Sequence, residues 1–97
     1  MLPVTPTDYT GDGHQHALSE ILGITQCKWF TVTATSVASG PGRVGDDTIE
    51  ADGGGFVVSD GFSKVFPPIA LAMSFYDLTK WFILIASGDT VSIGAAV

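Results

Sequence analysis

The 97-residue chain contains no asparagine, a single cysteine and only four basic residues. One cysteine cannot form an intramolecular disulfide, and one cysteine with two histidines falls short of the ligand sets that structural zinc sites use. The chain has ten acidic residues against these four basic ones. The resulting formal net charge of -6 has the wrong sign for neutralising nucleic-acid phosphates. We therefore expect no nucleic-acid partner, and a fold that is held by packing or by oligomerisation.

Long hydrophobic runs are also absent, because the longest one spans only residues 81–86. A membrane-spanning helix needs roughly 20 apolar residues, so the sequence predicts no membrane segment. The first residues lack the basic and apolar regions of a secretion signal, which indicates no export. Apolar residues nevertheless make up 45% of the chain and charged residues 14%, which predicts one folded domain that has partners.

Residues 1–23 form a polar leader that is interrupted by proline and glycine, and we expect an extended N-terminal arm there. Residues 14–22 are its helical candidate, with Leu18, Ile21 and Leu22 on one apolar stripe and Gly23 as a C-terminal stop. A helix this short is marginal alone and needs a surface on which to lie. The predicted organisation is therefore an arm at 1–23 and a β domain at 24–97.

From residue 24 the hydrophobic period changes to two, which indicates strands. In the first strand, Phe30 and Val32 alternate with Trp29 and Thr31. Further strands are predicted at 43–50, 56–59, 64–66, 80–86 and 90–97, and the last two are expected to form a terminal hairpin across the turn at 87–89. Short strands, glycine turns and one short helix predict a mainly β fold, a small antiparallel sandwich or barrel.

No set of residues forms a catalytic pattern, so the sequence predicts a protein that is not an enzyme and binds no cofactor. Gly40, Gly42 and Gly45 have the spacing of the dinucleotide motif G-x-G-x-x-G, but strand-like residues follow where that motif requires a helix. A glycine-rich turn is the favoured interpretation. Cys27 has no histidine near it in sequence, and a buried cysteine at the beginning of the first strand is the ordinary explanation.

His14 and His16, with Asp8 or Asp12, leave a weak metal site open as one interpretation. The favoured alternative is that the histidines are solvated or contact a partner, and no metal is expected. Because imidazole titrates near neutral pH, a further hypothesis is that docking of the arm is pH-sensitive.

Four carboxylates cluster between residues 46 and 52: Asp46, Asp47, Glu50 and Asp52. They suggest a calcium site, an acid–base pair or a solvated acidic edge. The spacing does not follow the helix–loop–helix calcium pattern and nothing selects a catalytic pair, so we favour an edge that discourages aggregation.

Aromatic residues make up 10% of the chain, more than one small core needs, so some of them should lie at an interface. Trp29 and Phe75 are the candidates for contacts between copies of the chain. Leu18, Ile21 and Leu22 of the leader are the candidates for contact with another protein.

Four segments, taken in order, resemble a group of small virion proteins of tailed bacteriophages. They are R-V-G-D at 43–46, F-P-P-I at 66–69, Y-D-L at 76–78 and A-S-G-D-T-V-S at 86–92. The resemblance covers residues 27–97. It implies a small β-sandwich or barrel on the exterior of the capsid, called a decoration or cement protein, which is often a homotrimer.

The resemblance further implies that the major capsid protein is the partner, that the chain is made in the host cytoplasm and ends on the virion, and that it has no catalytic residues. A tail, neck or fibre position in the virion is the alternative within this class. The rival outside it is a small hydrolase or carbohydrate-binding module that uses the acidic cluster and surface aromatics.

Overall fold

The computed structural model describes residues 3–38, 40–50, 53–66 and 75–96. Within these residues one helix is present, α1 (Leu18–Leu22). The strands are β1 (Pro3–Thr10), β2 (Gln15–Ala17), β3 (Gln26–Cys27), β4 (Trp29–Ser36), β5 (Gly42–Gly45), β6 (Phe56–Val58), β7 (Ser63–Phe66), β8 (Tyr76–Asp77), β9 (Phe82–Leu84) and β10 (Thr90–Ala96). The prolines at 67 and 68 and Asp52 of the acidic cluster lie outside the described residues.

Eight strands form two antiparallel sheets. The first sheet has the order β1-β10-β4-β7, the second has the order β2-β9-β5-β6, and β3 pairs with β8 in a separate ribbon. The chain changes sheet between β1 and β2, β4 and β5, β6 and β7, and β9 and β10. This is the order of the double-Greek-key jelly roll. The expectation of a mainly β antiparallel sandwich is confirmed.

The core lies between the two sheets and is formed by the inward-facing residues of alternating strands. In β4, Phe30 and Val32 are fully buried whereas Trp29 and Thr31 are half-buried, as the period of two predicts. Cys27 is also fully buried, which confirms the expected environment of the thiol. Burial raises the pKa of Cys27 to about 11.

The predicted terminal hairpin is wrong, because β9 and β10 belong to different sheets. The turn at 86–89 does reverse the chain, with Gly88 at φ 88° and the Asp89 amide donating to the Ala86 carbonyl at 3.0 Å. Turn residues determine where a chain reverses, but not which strand the next one joins. Here β10 pairs with β1 and β4, so the turn crosses from one sheet to the other.

The prediction of an N-terminal arm at residues 1–23 is also corrected, because the described part of this leader belongs to the sandwich. Strand β1 pairs with β10 from Pro3↔Ala96 to Thr10↔Thr90, and β2 pairs with β9. An outer strand is hydrogen-bonded on one side only, so it tolerates the prolines that suggested an arm. The helix begins at Leu18 and not at residue 14, because residues 15–17 pair with β9. The predicted end of the helix at Gly23 is confirmed: Gly23 has φ 75°, and its amide donates to the Ser19 carbonyl.

All four outer strands of the two sheets have features that oppose pairing with another chain. Strand β1 contains two prolines and an irregular register between Val4 and Thr7, and β2 and β6 are only three residues long. In β7, Lys64 pairs with the inward-facing Val32 and places its ammonium 5.0 Å from the ring centroid of Phe56. Short strands, prolines and inward-pointing charges are recognised protections against edge-to-edge association.

Candidate functional site

Interlocking aromatic rings fill the end of the sandwich where β9 begins. Phe30 and Phe66, neighbours across β4 and β7, stack with their centroids 4.4 Å apart. The indole of Trp81 makes edge-to-face contacts with Phe30, Phe66 and Tyr76 at 5.3, 5.2 and 5.8 Å. Such contacts add to the energy of burial and depend on ring orientation. The half-buried Trp81 is therefore held in a fixed orientation at the margin of the core.

A cleft of about 380 Å³ opens beside Trp81, and we call it the Trp81 cleft. A second cleft of about 350 Å³ adjoins it and shares Asp46 and Lys80 with it. Both volumes lie within the ~300–1,000 Å³ that small-molecule sites occupy. The Trp81 cleft is lined by Gly45, Asp46, Thr48, Gly55, Phe56, Lys80 and Trp81. The second cleft is lined by Asp46, Asp47, Thr79, Lys80 and Phe82.

Two glycines give the Trp81 cleft its shape. Gly55 has φ 64°, and a Cβ on it would lie 2.3 Å from the Val44 carbonyl oxygen. A Cβ on Gly45 would lie 2.9 Å from a methyl of Ile49 and 3.0 Å from the Cα of Gly55. No side chain fits at either distance, so the loop from β5 to β6 packs back on β5 only because both positions are glycine.

Asp46 occupies the rim of both clefts in a fixed geometry. Its Oδ1 accepts hydrogen bonds from the hydroxyl of Thr48 and from the Thr48 amide, the latter at 2.9 Å. These two donors lower the pKa of Asp46, the hydroxyl contributing most. The carboxylate is therefore ionised at neutral pH.

The loop that precedes β9 repeats this arrangement. Asp77 Oδ1 accepts from the Thr79 hydroxyl and from the Thr79 amide at 3.0 Å, and these donors lower the pKa of Asp77. The next residue, Lys80, donates its amide to the Asp77 carbonyl at 3.0 Å. This turn thus places the exposed Lys80 side chain in both clefts, opposite the loop that carries Asp46.

The acidic cluster predicted at 46–52 is only partly brought together. Asp46 and Asp47 line the clefts, whereas Glu50 forms an isolated bridge with Gly53. Across the described ranges, no group of three or more His, Cys, Asp or Glu side chains has an arrangement that could hold a metal ion.

A second polar cluster closes the opposite side of the sandwich, where β1 and β2 are the outer strands. His16 pairs with the inward-facing Ile83, so its ring points between the sheets. Its Nε2 lies 2.8 Å from Asp12 Oδ2 and its Nδ1 lies 2.8 Å from Glu20 Oε2. Hydrogen bonds to these carboxylates, first to Asp12 and then to Glu20, raise the pKa of His16.

The remaining members of the predicted histidine site are placed differently. His14 is exposed, and its amide donates to Asp12 Oδ1 at 2.9 Å. Asp8 lies on β1 with its side chain exposed. Tyr9 packs edge-on to His16 at 6.1 Å, and burial raises its pKa. His16 thus lies between two carboxylates on this side of the sandwich and contacts Tyr9 of the other sheet.

Among the residues that the structure describes, the outer surface of the first sheet is almost free of charge, and we call it the threonine face. Thr31 lies at its centre, between Gly94 of β10 and Val65 of β7. The hydroxyls of Thr35 and Thr90 are 2.8 Å apart. By strand alternation the face consists of Asp8, Thr10, Trp29, Thr31, Thr33, Thr35, Ser63, Val65, Thr90 and Ser92, together with Gly94 and Ala96, which are themselves buried. Among them only Asp8 is charged, and it lies on the outer strand.

Of the five predicted contact residues, one is buried, three are half-buried and one is exposed. Leu18 is fully buried in the core, so its predicted contact with another protein is wrong. Ile21 and Leu22 are half-buried and pack against the same core. Trp29 lies on the threonine face, and Phe75 is 40% exposed with the Lys28 ammonium 5.9 Å from its ring centroid.

Sequence reasoning did not single out Thr31, Thr33 or Lys80 as parts of a functional surface. For the threonines a signal was present, since β4 reads T-x-T-x-T on the face opposite Phe30 and Val32. For Lys80 there was none, because its position beside Asp46 depends on how two distant loops meet.

No protein-family model, curated protein or solved structure matches the chain. None of the described helices has the length and apolar character needed to cross a membrane.

Proposed function

We propose that the protein is a structural protein of a phage virion, a decoration or cement protein that binds the outside of an assembled head as a homotrimer. The threonine face carries this proposal. Copies of a chain with a net charge of -6 repel one another, and this repulsion is weakest where they meet through a surface without charge. Protein interfaces are depleted of charged residues at their centres, and the centre of this face, around Thr31, has none.

Two pairs of hydroxyls on the face lie close to each other. Thr35 bonds to Thr90 across the strands, and the hydroxyl of Thr33 lies 3.5 Å from that of Ser63. Burying such hydroxyls costs little, because a hydrogen-bonded polar group keeps its partner when water is removed. The methyl groups of the threonines, with Trp29 and Val65, then supply the apolar area.

Protection of the outer strands favours association through faces. Proline in β1 and the inward-pointing Lys64 in β7 oppose the addition of strands, which would lead to open fibres. Contacts between faces are compatible with closed symmetric assemblies. Both features suit a protein that must remain dispersed until it meets a repeating surface.

The phage assignment is supported by the ordered resemblance of residues 27–97 and by the jelly roll, which occurs in viral capsid proteins as well as in lectins. The fold alone does not determine the function. In the proposed mechanism, the trimer binds the assembled shell and not its dissociated subunits, so binding stabilises the shell. Three equivalent contacts with the major capsid protein would strengthen binding by avidity.

The mass of the protein in solution tests this proposal. Three copies of the 10.1 kDa chain give about 30 kDa by light scattering at micromolar concentration. Thr31→Glu places a carboxylate at the centre of the threonine face and should yield a 10.1 kDa monomer. Thr25→Glu, the same change at an exposed position outside the face, should remain a trimer. A monomeric wild type, or a Thr31→Glu trimer, contradicts the proposal.

Antibody labelling of purified virions of the encoding phage tests the position. Label over the head supports a cement protein. Label confined to the tail, neck or fibres supports those alternatives, and absence from the virion overturns the assignment.

A further inference from the structure

We propose that the Trp81 cleft binds a neutral hexopyranose at the end of a glycan chain. This activity goes beyond assembly and uses a different part of the molecule. The cleft lies at the loop end of the second sheet, where β5 ends and β6 begins, whereas the threonine face is the outer surface of the first sheet. Binding of a sugar and assembly can therefore be tested separately.

The chemistry of the lining fits a pyranose ring. Such a ring presents C–H groups on its faces and hydroxyls around its rim. Trp81 and Phe56 supply apolar aromatic surface, and Asp46, Thr48 and Lys80 supply acceptors and donors. A few polar groups placed around an apolar wall are the usual composition of a site for a small polar ligand.

Other ligand classes fit the lining less well. Asp46 lines both clefts and offsets the attraction of Lys80 for phosphate and other anions, and Asp47 adds a further negative charge to the second cleft. A metal ion would need a group of ligating side chains that the described residues do not form. A wholly apolar ligand would leave the ionised Asp46 and Lys80 without partners as water is displaced.

Two of the groups that would touch the sugar, Asp46 and Trp81, are already in position. Two hydrogen bonds from Thr48 hold Oδ1 of Asp46, which leaves Oδ2 to accept from a sugar hydroxyl. Three ring contacts hold Trp81. Because these side chains lose little further freedom when a ligand binds, the entropic cost of binding is small.

The adjoining cleft indicates how a longer glycan would lie. It shares Asp46 and Lys80 with the Trp81 cleft and adds Thr79 and Phe82. A second sugar unit would therefore contact the same two charged side chains from the other side. A disaccharide should bind more tightly than its monosaccharide.

The experiment titrates the isotope-labelled protein with glucose, galactose, mannose, N-acetylglucosamine and their disaccharides, and follows NMR amide and indole signals. We expect saturable shifts at the Trp81 indole N–H, with the Trp29 indole unmoved as an internal control. Asp46→Asn keeps an acceptor for Thr48 and removes the charge, and Lys80→Ala alters an exposed residue, so both variants should fold. Each should weaken binding about tenfold or more, which corresponds to about 1.4 kcal/mol.

Matched controls are Asp8→Asn and Lys28→Ala, which make the same changes outside the cleft and should bind as the wild type does. The absence of saturable shifts with every sugar up to about 50 mM overturns the proposal, as does unchanged affinity in Asp46→Asn and Lys80→Ala. Saturable shifts with inorganic phosphate that compete with the sugars would also overturn it. Thr31→Glu should keep sugar affinity while losing the trimer, so failure of one proposal is distinguishable from failure of the other.

Discussion

Replacing Leu18 by alanine should destabilise the entire sandwich. Leu18 has no solvent exposure and belongs to the main core cluster, although it lies in the segment whose sequence suggested an arm. Truncating a buried leucine to alanine removes transfer free energy and leaves a cavity, at a cost of roughly 2–5 kcal/mol. For a domain of this size, a loss of about 3 kcal/mol lowers the Tm by roughly 12–24 °C.

Urea unfolding followed by tryptophan fluorescence measures the change. The denaturation midpoint should fall while the m-value stays constant, since the surface exposed on unfolding is nearly the same. Leu22→Ala is the matched control, because the same atoms are removed from a half-buried position and the loss should be clearly smaller. All variants are compared at equal protein concentration, since the stability of an oligomer depends on it.

A loss below about 1 kcal/mol for Leu18→Ala would refute this reasoning. It would mean that Leu18 lies on the surface and that residues 1–23 do form an arm. The prediction therefore also tests whether residues 1–23 belong to the sandwich.

The remaining predictions concern His16 and Cys27. Because Asp12 and Glu20 raise the folded-state pKa of His16, its contribution to stability is complete below the unfolded-state pKa and is lost as pH rises through the folded-state pKa. The Tm of the wild type should fall relative to that of His16→Gln between about pH 5.5 and 8.5, and parallel profiles would contradict this. Burial raises the pKa of Cys27 to about 11, so its thiol should react with a disulfide reagent at neutral pH only when urea unfolds the chain. Rapid stoichiometric reaction of the folded protein would show that the thiol is accessible.

The candidate surfaces could be predicted only in part. The sequence indicated the acidic residues at 46–47 and an excess of aromatic residues, and both contribute to the Trp81 cleft. It did not indicate that Trp81 and Lys80 would meet Asp46, because more than thirty residues separate them. Their approach depends on the pairing of β9 with β5 and on two glycines that let the loop after β5 fold back.

By itself, the sequence determined the features that depend on neighbouring residues. The alternation of Phe30 and Val32 with Trp29 and Thr31 assigned the two faces of β4, because successive side chains of a strand point in opposite directions. Gly23 ended the helix because a left-handed residue there is favourable for glycine. The strand-rich pattern, with its glycine turns, was enough to define a mainly β antiparallel fold.

Only the tertiary structure decided which strands became neighbours. The turn at 86–89 is compatible with a hairpin or with a crossing between sheets, and the choice depends on β1 and β4, which enclose β10. The polar leader became an outer strand for the same reason. Its hydrogen bonds are made to the C-terminal strand, and the sequence of the leader does not indicate that partner. Which strands pair depends on contacts between residues that are distant in the sequence. Contacts of this kind also place Leu18 in the core.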